Sequence, residues 1–306
     1  MIYLKMRYQS YIDKYIKSFD GKTVVITGAN AGIGFTLAMQ LLSKGAHIVM
    51  ACRSMERAGN AKAKLLEQFP QGKIDILQYD QSSLESVKEF AVNLQKQYPS
   101  IYGFVFNAGI YHPKPNSISV DNVPLTLATN YLGAYYLSKL LMDYFKNNTE
   151  RIIVVSSVAA RFGKFKKVEK EFSLHKEGTH SYAVSKRCDS ALAVYLSDEI
   201  GGSSKVILSH PGITRTNILS SKTNSFAHWF TKAGNAFMTI FTNKAEKSSL
   251  TTLRALSDVD VSNLDLYCPR APFHLTGYPV KKKIAPDKYR SESLYQYSNR
   301  LISSKI

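Results

Sequence analysis

The sequence is short of cysteine, of acidic side chains and of long apolar runs, and each shortage closes off a class of protein. Its three cysteines, Cys52, Cys188 and Cys268, are odd in number and far apart. They fit neither a disulfide framework nor a metal-ligand spacing, so no metal is expected and a reducing, cytoplasmic setting is. No apolar run reaches the roughly 18 residues that a membrane-spanning helix needs, and the first residues lack the apolar stretch and small-residue cleavage site of a secretory signal. A transmembrane anchor is therefore not expected. Asp and Glu number 23 against 40 Lys and Arg, leaving a formal charge of +17. Such a field draws anions, whether nucleic acid, acidic lipid or a phosphate-bearing ligand. The cations are spread along the chain, with short clusters only at Lys164 to Lys167 and Lys281 to Lys283. No nucleic-acid motif accompanies them, so a solvated basic surface with no specific nucleic-acid partner is the expectation.

What is present reads as an α/β protein. At 306 residues, with 44% hydrophobic and 21% charged residues, the chain can bury a full core and is not disordered. Apolar runs rich in β-branched and aromatic residues at Thr23–Thr27, His47–Cys52, Ile74–Tyr79, Ile101–Asn107, Ile152–Ser157 and Val206–Ser209 alternate with helical periodicity at Phe35–Leu42, Arg57–Phe69, Leu84–Leu94, Thr126–Tyr144 and Tyr182–Ile200. Strands that are apolar throughout suit a parallel sheet covered on both faces, hence a doubly wound sheet of Rossmann type. No repeat or linker divides the chain. One domain over residues 1–306 is expected, with a core over about residues 20–258. Residues 1–20 place Tyr8, Tyr11, Ile12, Tyr15, Ile16 and Phe19 at helical spacing, either as a lead-in helix packed on the domain or as an interfacial helix in peripheral contact with an acidic membrane. Pro269 to Pro286 is rich in proline and basic residues and is expected to be loop, and Ser291–Ile302 a closing helix.

The first strand runs into Thr27-Gly28-Ala29-Asn30-Ala31-Gly32-Ile33-Gly34 and then directly into a helix. Glycines there permit a tight turn, close approach of backbone to a pyrophosphate and close helix–strand packing, while the helix N-terminus offers N–H groups to the phosphates. The second strand ends Cys52-Arg53, where an NAD site usually carries an acid for the ribose 2′-hydroxyl and where an Arg can hold a 2′-phosphate. NADP(H) is expected in preference to NAD(H). Tyr182 and Lys186, four residues apart, share one helix face. A phenol ionises near pH 10, about three units too high for easy proton exchange at neutrality, and an adjacent ammonium stabilises the phenolate.

In this order, Thr-Gly-x-x-x-Gly-Ile-Gly, Asn107-Ala108-Gly109, Ser156-Ser157, Tyr182-x-x-x-Lys186 and Pro211-Gly212 resemble the short-chain dehydrogenase/reductase family over residues 22 to 217. The resemblance implies cofactor contacts at Gly28, Asn30, Gly32, Ile33, Gly34, Arg53, Asp80 (to the adenine amine), Asn107, Ala108, Gly109, Tyr182, Lys186, Pro211, Gly212 and Thr214, with Thr216 as an alternative to Thr214. It implies catalysis by Ser157, Tyr182 and Lys186, with Asn130 completing a proton relay. Ser156 stays open as the alternative to Ser157. Read alone, Asp80 could cap the following helix, Asn130 could bond local backbone, and His210 is expected to be structural. Ala51-Cys52-Arg53 and the long gap between Ser157 and Tyr182 resemble the branch that holds retinol dehydrogenases, WW-domain oxidoreductase and protochlorophyllide reductase. The implied activity is interconversion of a small-molecule carbonyl and its alcohol. Phe226, Trp229, Phe230, Phe237, Met238 and Phe241 make residues 214–245 apolar; together with 269–302 they form the expected substrate lid and C-terminal extension, suited to a hydrophobic substrate. Other readings are an NADP(H)-binding sensor or scaffold without turnover, and a membrane-surface or nucleic-acid binder. A homo-oligomer is compatible with the family.

Overall fold

A computed structural model describes residues 2–111, 113–114, 117–164, 179–212, 245–271 and 274–306. Its centre is an eight-stranded sheet in the order β3-β2-β1-β4-β5-β6-β7-β8, with β1 Thr23–Thr27, β2 His47–Cys52, β3 Ile74–Gln78, β4 Ile101–Phe106, β5 Thr149–Val155, β6 Lys205–Ser209, β7 Asp265–Pro269 and β8 Pro279–Lys283. All neighbours pair in parallel except β7 with β8. The order reverses between β1 and β4, which opens a crevice at their C-terminal ends, the usual ligand position in doubly wound sheets.

Helices cover both faces. On one lie α4 (Leu84–Gln97), α6 (Gly133–Leu140), α8 (Thr179–Ile200) and α11 (Glu292–Ser303), packing Val87, Phe90, Leu94, Leu137, Leu192 and Leu294 against Phe104 and Val154. On the other lie α1 (Ile2–Tyr15), α2 (Gly32–Leu42), α3 (Met55–Gln68), the short α9 (Ala245–Ser248) and α10 (Leu250–Ser257), where Ile12, Leu37, Leu41, Leu65 and Leu253 bury against Val24, Ile48 and Ile207. Serine side chains start several of these helices: Ser54, Ser83 and Ser291 accept the N–H of Arg57, Ser86 and Leu294 at 3.3, 3.3 and 3.4 Å, satisfying donors that a helix start leaves unpaired. Among the described residues, no helix is long and apolar enough to cross a membrane.

The lead-in segment packs on the domain. Ile12, Ile16 and Phe19 are buried, Tyr11 stacks on Tyr278 at 4.8 Å between ring centroids, and the Arg254 guanidinium donates to the Tyr15 carbonyl at 2.6 Å. Two expectations are corrected. Residues 279–283 are not loop but the edge strand β8, pairing with β7 from Pro269↔Pro279 to Asp265↔Lys283. Proline and exposed lysines are what an edge strand tolerates, since its outer groups face water and its charges deter further pairing. The expected helix Thr126–Tyr144 is broken instead into α5 (Leu125–Leu127), a π turn (Ala128–Leu132), α6 and α7 (Met142–Asn148). Of the expected lid, residues 213–244 lie outside the described residues, and with them Thr214, Thr216 and the aromatic residues from Phe226 to Phe241.

Phe104 is fully buried in β4, with the rings of Phe106 and Phe145 at 4.7 and 5.3 Å. Phe104→Ala is expected to lower stability by about 3–5 kcal/mol, from lost transfer energy plus the cavity left behind. Urea unfolding followed by circular dichroism measures it.

Candidate active site

At the crevice, the ends of β1 and β4 are clasped together by one hydroxyl. Thr27 Oγ1 accepts the backbone N–H of Asn107 at 2.9 Å and of Ala108 at 2.8 Å and donates to the Val105 carbonyl at 3.3 Å. The Asn107 amide donates to the Thr27 carbonyl at 2.8 Å. Above this clasp Gly28 turns the chain with φ +68°, a left-handed conformation that suits glycine. A Cβ on Gly34 would lie 2.6 Å from both Asn107 Nδ2 and the Gly28 carbonyl oxygen, so the close packing of turn, helix and β4 also requires glycine. The first turn of α2 has no acidic residue and Ala31 gives no side-chain cap. Its N–H groups are left to an anion, a cradle that fits a cofactor pyrophosphate. Asn30 and Ile33 lie in this turn, half-buried, and Gly32 is exposed at the helix start.

At the end of β2, Cys52 is buried and Arg53 is exposed. Burial pushes the Cys52 thiol up, against the backbone amides of Ala29 and Asn30. A neutral thiol and an exposed guanidinium therefore stand where a repelling carboxylate would exclude a 2′-phosphate. The Asp80 carboxylate accepts from Ser82 N–H at 2.9 Å and Ser82 Oγ at 2.6 Å. It shapes its own turn, and Ser83, not Asp80, caps α4.

The expected catalytic groups collect around α8. Tyr182 is half-buried, with Tyr111 edge-on to its ring at 4.8 Å. Lys186 is buried, its Nζ 5.9 Å from the Tyr182 ring centroid. That Nζ donates to Asp189 Oδ2 at 2.8 Å and to the Val155 carbonyl at 3.1 Å. Burial works against the Lys186 ammonium, but Asp189 and Tyr182 more than offset it, and the group titrates above its ordinary value. Burial pushes Asp189 up to about 6, with Lys186 pulling the other way.

The two serines at the end of β5 part company. Ser156 is buried, donating to the Lys186 carbonyl at 2.8 Å and lying 2.9 Å from Ser190 Oγ, which occupies it in docking β5 on α8. Ser157 is half-buried and caps the 3₁₀ turn Val158–Arg161, accepting Ala159 N–H at 3.2 Å. Asn130 sits in the π turn, a feature frequent at functional sites. Its side chain accepts Ile110 N–H at 2.7 Å and donates to the Ile110 carbonyl at 3.0 Å and to Ser185 Oγ at 2.9 Å. A Cβ on Gly109 would stand 3.4 Å from Asn130 Oδ1 and 3.5 Å from Lys186 Nζ, so the β4 loop, the π turn and α8 converge there. Pro211 and Gly212 follow β6, both buried. His210 accepts Gly212 N–H through Nδ1 at 3.2 Å.

Sequence reasoning passed over Thr27, Ser185 and Asp189. A hydroxyl at a strand end, a serine and a lone acid in a helix carry no signal until the partners across the crevice are known. Thr27→Val keeps the shape of Thr27 but strands two backbone N–H groups, which costs about 1–3 kcal/mol in stability. It is also expected to weaken binding of a dinucleotide cofactor, measured by fluorescence titration, because the glycine turn rests on the clasp.

The family model described as short chain dehydrogenase matches residues 22–225. The human WW domain-containing oxidoreductase is 38% identical over 147 residues, 48% of this chain and 35% of that protein. Mouse retinol dehydrogenase 14 is 32% identical over 212 residues, 65% of this chain and 63% of that protein. The chain thus spans about a third to two-thirds of the length of these relatives. Among solved structures, NADPH-dependent 3-quinuclidinone reductase from Rhodotorula rubra aligns with a TM-score of 0.62 at 20% identity, covering 80% of this chain and 88% of that one. Levodione reductase aligns at 0.61 and 19%, covering 78% and 92%. At that identity the two structures speak for the fold alone. With a match over two-thirds of its length, carrying the glycine turn, the Tyr182–Lys186 pair and the crevice between β1 and β4, the chain belongs to the short chain dehydrogenase family.

Proposed function

We propose that this protein is an NADP(H)-dependent oxidoreductase that interconverts a carbonyl and an alcohol on a largely hydrophobic substrate. The observations that support the reading are the meeting of Tyr182, Lys186 and Asn130 at α8, the position of Ser157 next to the serine that docks β5 on that helix, and an uncapped start of α2 that fits a pyrophosphate. Gly28, Asn30, Gly32, Ile33 and Gly34 would hold the phosphates, Arg53 a 2′-phosphate, Asp80 the adenine side, and Asn107, Ala108, Gly109, Pro211 and Gly212 the remainder. The bound cofactor supplies or accepts the hydride.

The chain's own groups handle the proton and the charge. Tyr182 gives a proton to the carbonyl oxygen in reduction and takes it back in oxidation. Ser157 donates a hydrogen bond to that oxygen as negative charge develops on it. Lys186, held as ammonium by Asp189, faces the Tyr182 ring and brings positive charge next to the proton transfer. Asn130 and Ser185 act as positioning residues, fixing the Ile110 backbone and the first turns of α8. Cofactor preference follows from Cys52 and Arg53, and the apolar character of the substrate from the aromatic run between Phe226 and Phe241.

The test is NADPH oxidation at about 340 nm, where the reduced nicotinamide absorbs, over aromatic, aliphatic, retinoid and steroid carbonyls. Tyr182→Phe is expected to cut turnover by about 10²- to 10⁴-fold while NADPH still binds. Binding without turnover on any of these compounds would instead favour a sensor. Arg53→Ala is expected to weaken NADPH by roughly 10- to 100-fold, the worth of a charge-assisted hydrogen bond, with little change for NADH. Equal loss for both cofactors would remove Arg53 from the 2′-phosphate site.

A further inference from the structure

We propose that Arg161, Lys282, His274 and the Nε2–H of His210 form a subsite for a carboxylate on the substrate, at the C-terminal ends of β5 to β7 and the adjoining edge of β8. The inference rests on the oxidoreductase reading for its choice of occupant, and on the donor count below for the charge of that occupant.

His210 Nδ1 accepts the Gly212 N–H. A nitrogen that accepts carries no proton, so the neutral ring bears its proton on Nε2. Nε2 is buried and has no hydrogen-bond partner among the described residues. Burial, with the push of His274 and Arg161, holds His210 at about 3, so the ring stays neutral. His274 stands 5.6 Å away between ring centroids, on the β7–β8 connection, with φ +60°, an uncommon conformation for a residue with a Cβ. Arg161 lies 2.8 Å from its Nδ1 and Lys282 Nζ 2.7 Å from its Nε2. Burial first, then Lys282 and Arg161, keep this ring below its ordinary value as well. A neutral imidazole has one lone pair, so it can accept from one of these cations while the other faces an N–H.

The cluster is thus rich in donors and poor in acceptors. Neither Arg161 nor Lys282 has a carboxylate within ion-pair distance among the described residues. Cys268 adds a sulfur: one ligand-type atom each from His210, Cys268 and His274 lies within 4.8 Å of the others. Two imidazoles and a thiol are also ligands for zinc. But a ligating imidazole needs an acceptor for its second nitrogen, and either nitrogen of His274 faces a cation. Burial pushes the Cys268 thiol up, toward the protonated form. A carboxylate answers the donor surplus directly, since a guanidinium binds its two oxygens in a planar fork. The place fits a substrate group: Arg161 ends the turn that Ser157 caps, and His210 leads directly into Pro211 and Gly212.

Two measurements decide it. One compares NADPH-dependent reduction of 4-formylbenzoate with that of its methyl ester. The acid is expected to be preferred in kcat/KM by about tenfold or more, the worth of a hydrogen bond to a charged group, and the ratio to fall toward one in Arg161→Gln/Lys282→Gln. The other is calorimetric titration of the NADPH-saturated protein with benzoate and with benzamide. Benzoate is expected to bind at least about tenfold tighter, with the difference erased in the double variant. Equal handling of acid and ester, with benzoate no tighter than benzamide, overturns the subsite and leaves the oxidoreductase reading standing. Reduction of neither aldehyde, with benzoate preference lost only in the variant, supports the subsite and counts against that reading. Benzoate that binds the cofactor-free protein but is displaced by NADPH assigns the cations to the cofactor and overturns the substrate assignment. Stoichiometric zinc in the purified protein, lost in His274→Ala, overturns it in favour of a metal.

Discussion

One buried ammonium governs the crevice. Taking Lys186 out of water would cost several kcal/mol without partners, and the structure meets that demand from two directions. Asp189 supplies a countercharge from the next turn of α8, and the last carbonyl of β5 supplies a second acceptor. The second contact holds only if α8 lies tight against β5, which Ser156 secures by bonding the Lys186 backbone and facing Ser190. The placement of Tyr182, one turn earlier on the same face, and of Ser157, one residue beyond Ser156, follows from that docking. The charge that the proposed chemistry needs is thus also the feature around which the local fold is organised.

The central strands were legible in the sequence because a parallel strand covered on both faces has to be apolar along its whole length, and the glycine turn was legible because backbone closeness leaves few residue choices. Strand β8 was not. Its outward lysines obey the rule for an edge, which imitates the composition of a loop. The π turn at Asn130 was also hidden, since apolar spacing in 128–132 does not separate an α turn from one with an added residue. Asp189 carries no signal in the sequence, because only its closeness to Lys186 Nζ sets it apart from other polar positions in a helix. His210, Cys268 and His274 stand on separate elements, and their meeting is set by the strand order, with β7 placed beside β6.

The crevice joins two kinds of construction. On the cofactor side, backbone does most of the work: a left-handed glycine, uncapped N–H groups and a hydroxyl clasp between two strand ends. This fits a ligand whose phosphates are the same whatever the substrate. On the far side, side chains from the 3₁₀ turn, β8 and the β7–β8 connection dominate. Under the proposed assignment, substrate choice would be set by these side chains and cofactor geometry by the glycine turn.

The first helix has a consequence for how the chain reaches this state. Its aromatic and aliphatic residues bury against α10 and Tyr278, and the Lys17 N–H is accepted by Ser257 Oγ, 240 residues away. During synthesis at about 5–20 residues per second, this segment is made tens of seconds before its partners. Over that interval its apolar face is available to chaperones or to other nascent chains. Docking of the first helix on this face of the sheet therefore joins segments 240 residues apart in the chain.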